Sequence, residues 1–226
     1  MQTTGQKLAA YCEDHFDLSL QHTQHYRSLS ICIIDCVYSL RAKYEKVTFP
    51  IVQRYADAYM NGNRYADGDT ISELIAHIED VGGPQAFADN IIKNHQKLGG
   101  GLIPKENAVF QMARFLKLLQ IETLDDFQNY EAPDLLEAVI RAVKGISDAG
   151  VNYLFMLAGD PNRVKPDVHI HHCVVDACGK DVSNDTCQIL FTEAVKILQE
   201  KHPQLTVRAL DGIVWQAYSK TRLAAN

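Results

Sequence analysis

The chain has 226 residues, enough to bury a sizeable core as one domain or as two small lobes. Its 46% hydrophobic and 22% charged residues exclude a disordered or low-complexity chain, and no apolar run approaches the length of a membrane span. A net charge of −6, with a pI near 5.8, counts against tight non-specific gripping of nucleic acid by a broad basic face.

The opening Met1–Lys7 lacks the basic-then-apolar character of a signal peptide. Six cysteines, with Cys32 and Cys36 one turn apart in an apolar helix and the others scattered, suit reduced and buried thiols. Both features lead to the expectation of a cytoplasmic protein.

Periodicity is helical nearly throughout, with no convincing alternating strand, so the fold class is all-α. Residues 7–20 and 26–43 read as amphipathic helices, the second very apolar around Ile31–Val37 but interrupted by Asp35. A buried acid is costly unless paired, so Asp35 either meets a partner or lines a polar pocket. A third helix over 48–61 ends at Gly62. Thr70 looks like the cap of a fourth, with Glu73 placed for a capping box. Gly82-Gly83-Pro84 breaks the chain before a helix through Phe87, Ile91 and Ile92. The Gly99-Gly100-Gly101 run is the most flexible stretch, and Pro104 opens the next helix, which buries Val109, Met112, Ala113, Leu116 and Leu119. A turn at Thr123-Leu124 and a helix from Pro133 follow.

The stretch from Val143 to Cys178 is the centre of the chain. Gly145 and the Ser147-Asp148 pair are turn and capping residues. Val151–Ala158 is too apolar for a surface helix and should be buried nearly all round. Gly159 stops that helix, and Pro161 and Pro166 keep the next stretch out of one. Asp167 then precedes Val168-His169-Ile170 at an N-cap, where the helix end favours its ionised form. Helices over 183–201 and 206–218 complete the chain.

A glycine-hydrophobic turn before a buried helix, then a loop, then aspartate-x-histidine resembles the helix-hairpin-helix (HhH-GPD) superfamily of DNA glycosylases. The residues that carry the likeness are Gly145-Ile146-Ser147 and Pro166-Asp167-Val168-His169, with Leu210-Asp211-Gly212-Ile213-Val214-Trp215 similar to a run in the family's closing helix. The resemblance covers the second half of the chain well and the first half by helix count. It implies a two-lobed helical fold, with one lobe over 46–161 and a second made of 1–45 plus 162–226.

It further implies DNA as partner and a monofunctional N-glycosylase that extrudes a modified or mismatched base and hydrolyses its N-glycosidic bond. Asp167 would be the catalytic carboxylate. Lys144, Gly145, Ile146, Ser147, Ala149 and Gly150 would form the phosphate-gripping hairpin, with a potassium or sodium ion on its backbone carbonyls. His169 and Lys165 would orient the loop, while Asp35, Tyr44 and Trp215 would line the base pocket. Bifunctional members carry a nucleophilic lysine where this chain has Ala149, so no Schiff-base lyase activity is expected.

No four cysteines near the C-terminus have the spacing of an iron–sulfur site, so no such cluster is expected. His169, His171 and His172 beside Cys173 suggest a metal at first sight. Residues two apart on a helix diverge, however, and no metal site built from side chains is expected. The alternative reading is a non-catalytic module of this fold that binds nucleic acid or a protein partner.

Overall fold

The computed structural model describes residues 2–19 and 25–223. Two compact units form, one from residues 1–23 and 160–226 and the other from residues 24–159. In chain order, α1 (Thr4–His15) belongs to the first unit. The second holds α2 (Leu29–Ser39), α3 (Thr48–Tyr59), α4 (Ile71–Asp80), α5 (Pro84–Phe87), α6 (Lys105–Leu118), α7 (Leu124–Gln128), α8 (Pro133–Arg141) and α9 (Asp148–Leu157). The chain then returns to the first unit with α10 (Val168–Cys178), α11 (Asn184–Leu198) and α12 (Val207–Leu223).

The larger unit is built around α2, whose eleven residues are all buried. An apolar sequence of this kind has no polar face to show water, so α3, α4, α6 and α9 cover it. Ser28 starts the helix by accepting from the amide of Ile31. Its other end receives Lys105, a fully buried lysine at the head of α6. The ammonium donates to the carbonyls of Tyr38 and Leu40, each at 2.9 Å, and to Gln96 Oε1 at 3.0 Å. A positive charge at a helix C-terminus meets both the orphan carbonyls and the negative end of the dipole.

The capping box read at Thr70 and Glu73 opens α4, and Pro133 stands in the first turn of α8. Beyond α5 the chain makes a π turn over Ala88–Ile92. One small ladder departs from the all-helical expectation. β1 (Lys97–Leu98) pairs antiparallel with β2 (Ile103–Pro104) across the triple glycine, whose three residues all have positive φ. A glycine run of this kind reads as a flexible stretch from sequence alone, but the same conformational freedom lets it reverse the chain tightly.

In the smaller unit, α1 starts with a capping box at Thr3 and Gln6 and packs on α11, while α10 packs on α12 and α1. Leu8, Cys12, Cys173, Phe191, Leu198, Leu210 and Val214 form the centre of its core. Each large apolar side chain in it contributes about 1.5–3 kcal/mol of burial.

The boundaries differ from the lobes that the resemblance implied. The implied lobes place α2 with the chain ends, yet its side chains belong to the core of the larger unit together with α3, α6 and α9. Helix count cannot distinguish a central helix from a peripheral one. Burial on every face does.

Candidate active site

Asp167 closes an irregular segment that begins at Asp160, and each part of that segment is tied down. Asp160 turns the chain by accepting from the amide of Asn162 at 2.8 Å, and it holds Arg163 through Oδ2 at 3.1 Å. The amide of Arg208, at the start of α12, reaches the carbonyl of Pro161 at 3.0 Å. Gln188 of α11 spans the turn, donating to the carbonyl of Asn162 at 2.8 Å and accepting from the amide of Val164 at 3.0 Å. Val164 and Pro166 are buried and act as apolar pegs.

The amide of Lys165 then donates to Asp211 Oδ1 at 2.9 Å, and the carbonyl of the same residue accepts from the amide of Asp167 at 2.7 Å. Asp167 itself is half-buried. Its Oδ1 accepts from His169 N at 2.9 Å and Ile170 N at 3.3 Å, the N-cap read from the sequence. Both bonds fall on one oxygen, so Oδ2 takes no part in the cap. The carboxylate is therefore fixed in direction, lies at the positive end of α10 and keeps one oxygen clear of the cap.

Asp211 is the site residue that the sequence reading left without a role. It lies on α12, only 5% exposed. Burial pushes its carboxyl up to about 7, and the negative charge of Asp167 adds to that. The Lys165 amide bond and the charges of Lys165 and Arg208 act in the opposite sense. Its sequence signal is the Leu210-Asp211-Gly212-Ile213-Val214-Trp215 run, but a partner 46 residues away is invisible to local spacing.

His169 and Trp215 meet edge to face, ring centroids 6.1 Å apart at 83°, so the aspartate-x-histidine loop and the last helix share an aromatic contact. His171 is engaged elsewhere. Its Nδ1 lies 2.6 Å from Asp181 Oδ1 and its Nε2 lies 3.0 Å from Asn184 Oδ1. Desolvation alone would lower its proton affinity, but those two bonds and the nearby carboxylates raise it overall. Among the described residues no group of three or more histidine, cysteine and acidic side chains comes together to hold a metal ion.

The hairpin lies in the larger unit, between α8 and α9. The amide of Ile146 returns to the carbonyl of Val143 at 3.1 Å, and Ser147 N-caps α9 through its backbone, its carbonyl accepting from Val151. Gly145 has φ +89°, and a Cβ there would lie 2.7 Å from Leu98 Cβ, so only glycine fits against β1. Ile146 points into the core, Gly150 is buried against Leu40, and Lys144 and Ser147 are exposed. Arg141 is exposed and tied to Asp148 at 2.7 Å and to Glu137 at 3.9 Å.

Of the three residues assigned to a base pocket, Asp35 and Tyr44 come together in the larger unit, while Trp215 belongs to the smaller one. Asp35 is fully buried with four hydroxyl donors. Oδ1 accepts from Ser39 at 2.9 Å and Tyr153 at 2.8 Å, and Oδ2 accepts from Tyr26 at 2.8 Å and Tyr44 at 3.0 Å. Burial, followed by the charge of Asp35, pushes the phenols of Tyr26, Tyr44 and Tyr153 well above the usual range, so all three stay protonated as donors. Of the two roles open to Asp35, the paired one is observed: it joins α2, α9 and the segments carrying Tyr26 and Tyr44.

The chain belongs to a family described as a domain of unknown function (DUF8548), whose model matches residues 6–219. No curated protein and no solved structure matches it.

Proposed function

We propose that the protein is a monofunctional DNA N-glycosylase that acts on an extruded, modified or mismatched base, with Asp167 as its catalytic carboxylate. The observation that carries this reading is the Asp167 carboxylate itself. It is held rigidly through one oxygen by a helix N-terminus, at the end of a loop bound by two further helices. Breaking the bond between C1′ and the base leaves its electron pair on the base and positive charge on the sugar. A carboxylate with a fixed direction stabilises that charge without reorganising during the reaction. Asp167 then orients the water whose oxygen adds to C1′, and it accepts the proton that this water releases. Extrusion costs a few kcal/mol and costs least for a damaged or mispaired base, which is one source of selectivity.

The turn over residues 143–147, in the larger unit, leads into the first amides of α9, a backbone suited to a strand phosphate. A monovalent cation there would be held by backbone carbonyls of the turn. Such an ion would supply positive charge beside the phosphate. Ala149 offers no amine, so the reaction ends at an abasic site with the strand intact.

A second reading, a non-catalytic module of the same fold binding nucleic acid or a protein partner, is favoured by one feature. Arg141 and Arg163 are both held by carboxylates of their own units, which weakens the positive charge they could offer a phosphate backbone. The two readings are separated by incubating the protein with duplexes that carry different altered bases and cleaving any abasic sites with alkali. The glycosylase reading expects strand breaks at one or a few lesions, absent with Asp167→Asn. Binding without base release on every substrate favours the module.

A further inference from the structure

We propose that Asp211 is a positioning residue for Asp167, acting through the Lys165 peptide unit, and that this arrangement sets the reach of the catalytic carboxylate. The inference deepens the glycosylase reading and rests on it for its consequence on rate, though not for its geometry. The connection is continuous. Asp211 Oδ1 accepts from Lys165 N at 2.9 Å, Lys165 O accepts from Asp167 N at 2.7 Å, and Asp167 Oδ1 accepts from His169 N and Ile170 N. Pro166, buried between the two held residues, has a fixed φ, so the segment from 165 to 167 has few ways to move once both ends are tied.

Further ties hold the loop upstream, at Pro161, Asn162 and Val164. Asp211 fastens the residue whose carbonyl receives the Asp167 amide. An acid is an expensive choice for a buried acceptor when an amide oxygen could fill the place. The groups whose charges reach it are Asp167 at the head of α10, Lys165 in the loop and Arg208 on its own helix, while α11 presents the neutral Gln188 to the same loop. Protonation of Asp211 therefore changes the field at Asp167 without removing the acceptor for Lys165.

Asp211→Ala and Asp211→Asn separate the hydrogen bond from the charge. Asn keeps an oxygen for the Lys165 amide and matches the shape of the acid, so the fold survives in that variant even if Ala proves unstable. Amide NMR on the intact protein is read first, because it needs no activity. The His169 and Ile170 amides, which report the Asp167 carboxylate, should shift in Asp211→Ala (or, should that variant not fold, in Asp211→Ser) and stay near their wild-type positions in Asp211→Asn. Unmoved amides in the truncated variant overturn the proposal whatever the activity. In single-turnover base release the truncated variant should be slower by about tenfold to a hundredfold with substrate affinity kept, the cost of a displaced catalytic group. Asp211→Asn should stay within about threefold and lack the inflection near neutral pH that is expected of the wild type. A wild-type rate in the truncated variant, or equal loss in both variants, also contradicts it. Shifted amides in the truncated variant, together with a wild type that releases no base from any duplex, would instead retire the glycosylase reading and leave the positioning intact.

Discussion

At the scale of single residues, the acids divide by what they accept. Asp35 takes four hydroxyls and holds a core together, Asp167 takes two amides and keeps an oxygen outside its cap, and Asp211 takes one amide in a buried setting. For Asp211 the consequence for stability can be worked out with its sign. Its carboxyl is pushed up to about 7, above the usual aspartate range, so between about pH 4 and pH 7 the folded protein holds a proton that the unfolded chain has released. Stability therefore falls as pH rises through that window and levels off above it. Urea unfolding at pH 5 and pH 7.5 should show wild type losing about 2 kcal/mol relative to Asp211→Asn, on the basis of about 1.4 kcal/mol per pH unit. Parallel profiles for the two proteins would show that Asp211 ionises normally in the fold. Asp167 could be read from the sequence because a cap is a local pattern of four residues. Tyr153 as a partner of Asp35 and Lys165 as the partner of Asp211 could not, because they lie 118 and 46 residues away.

At the scale of elements, the hairpin depends on a backbone that only one residue type permits. Gly145→Ala must place a Cβ 2.7 Å from that of Leu98 in a left-handed conformation. It should destabilise the larger unit by about 2–4 kcal/mol, combining the conformational cost with overpacking, as measured by chemical denaturation. A change under 0.5 kcal/mol would mean that the turn relaxes freely and is not a rigid phosphate cradle. Helices with capping residues were legible: Thr70 with Glu73, Pro133 and Asp167 each start an element where their chemistry says they should. The β1–β2 ladder was not, since two-residue strands carry no alternation and the pairing is made by the positive-φ glycines between them. Lys105 was missed for a related reason. A lysine in a helix's first turn reads as exposed, and only the assembled unit brings the carbonyls of α2 to its ammonium.

At the scale of the whole molecule, the all-helical class followed from periodicity, but the grouping of helices into units did not. Apolar content identified α2 as buried, yet a core helix looks the same in sequence whichever unit it serves. The charge distribution bears directly on function. The net charge is −6, and Arg141 and Arg163, which flank the hairpin and the Asp167 loop, are in ion pairs, so the cations nearest the proposed site are partly neutralised. The salt dependence of duplex binding should accordingly be shallow, with a log–log slope of about −1 to −3, corresponding to one to three neutralised phosphates. A slope near −6 would contradict this and point to a broad basic face. No helix among the described residues is long and apolar enough to cross a membrane.

Glycosylase activity would depend on the Asp167 carboxylate, and one measurement addresses this most directly: release of free base from a set of altered-base duplexes by wild type and by Asp167→Asn, at equal protein concentration. Asparagine keeps an oxygen for the His169 and Ile170 amides, so α10 keeps its cap and the variant should bind the same duplexes with little change. The prediction is base release by wild type on at least one substrate and a loss of a hundredfold or more in the variant, about 2.7 kcal/mol or more of transition-state stabilisation. Equal rates for the two proteins, or no release by wild type from any duplex in the set, would contradict it.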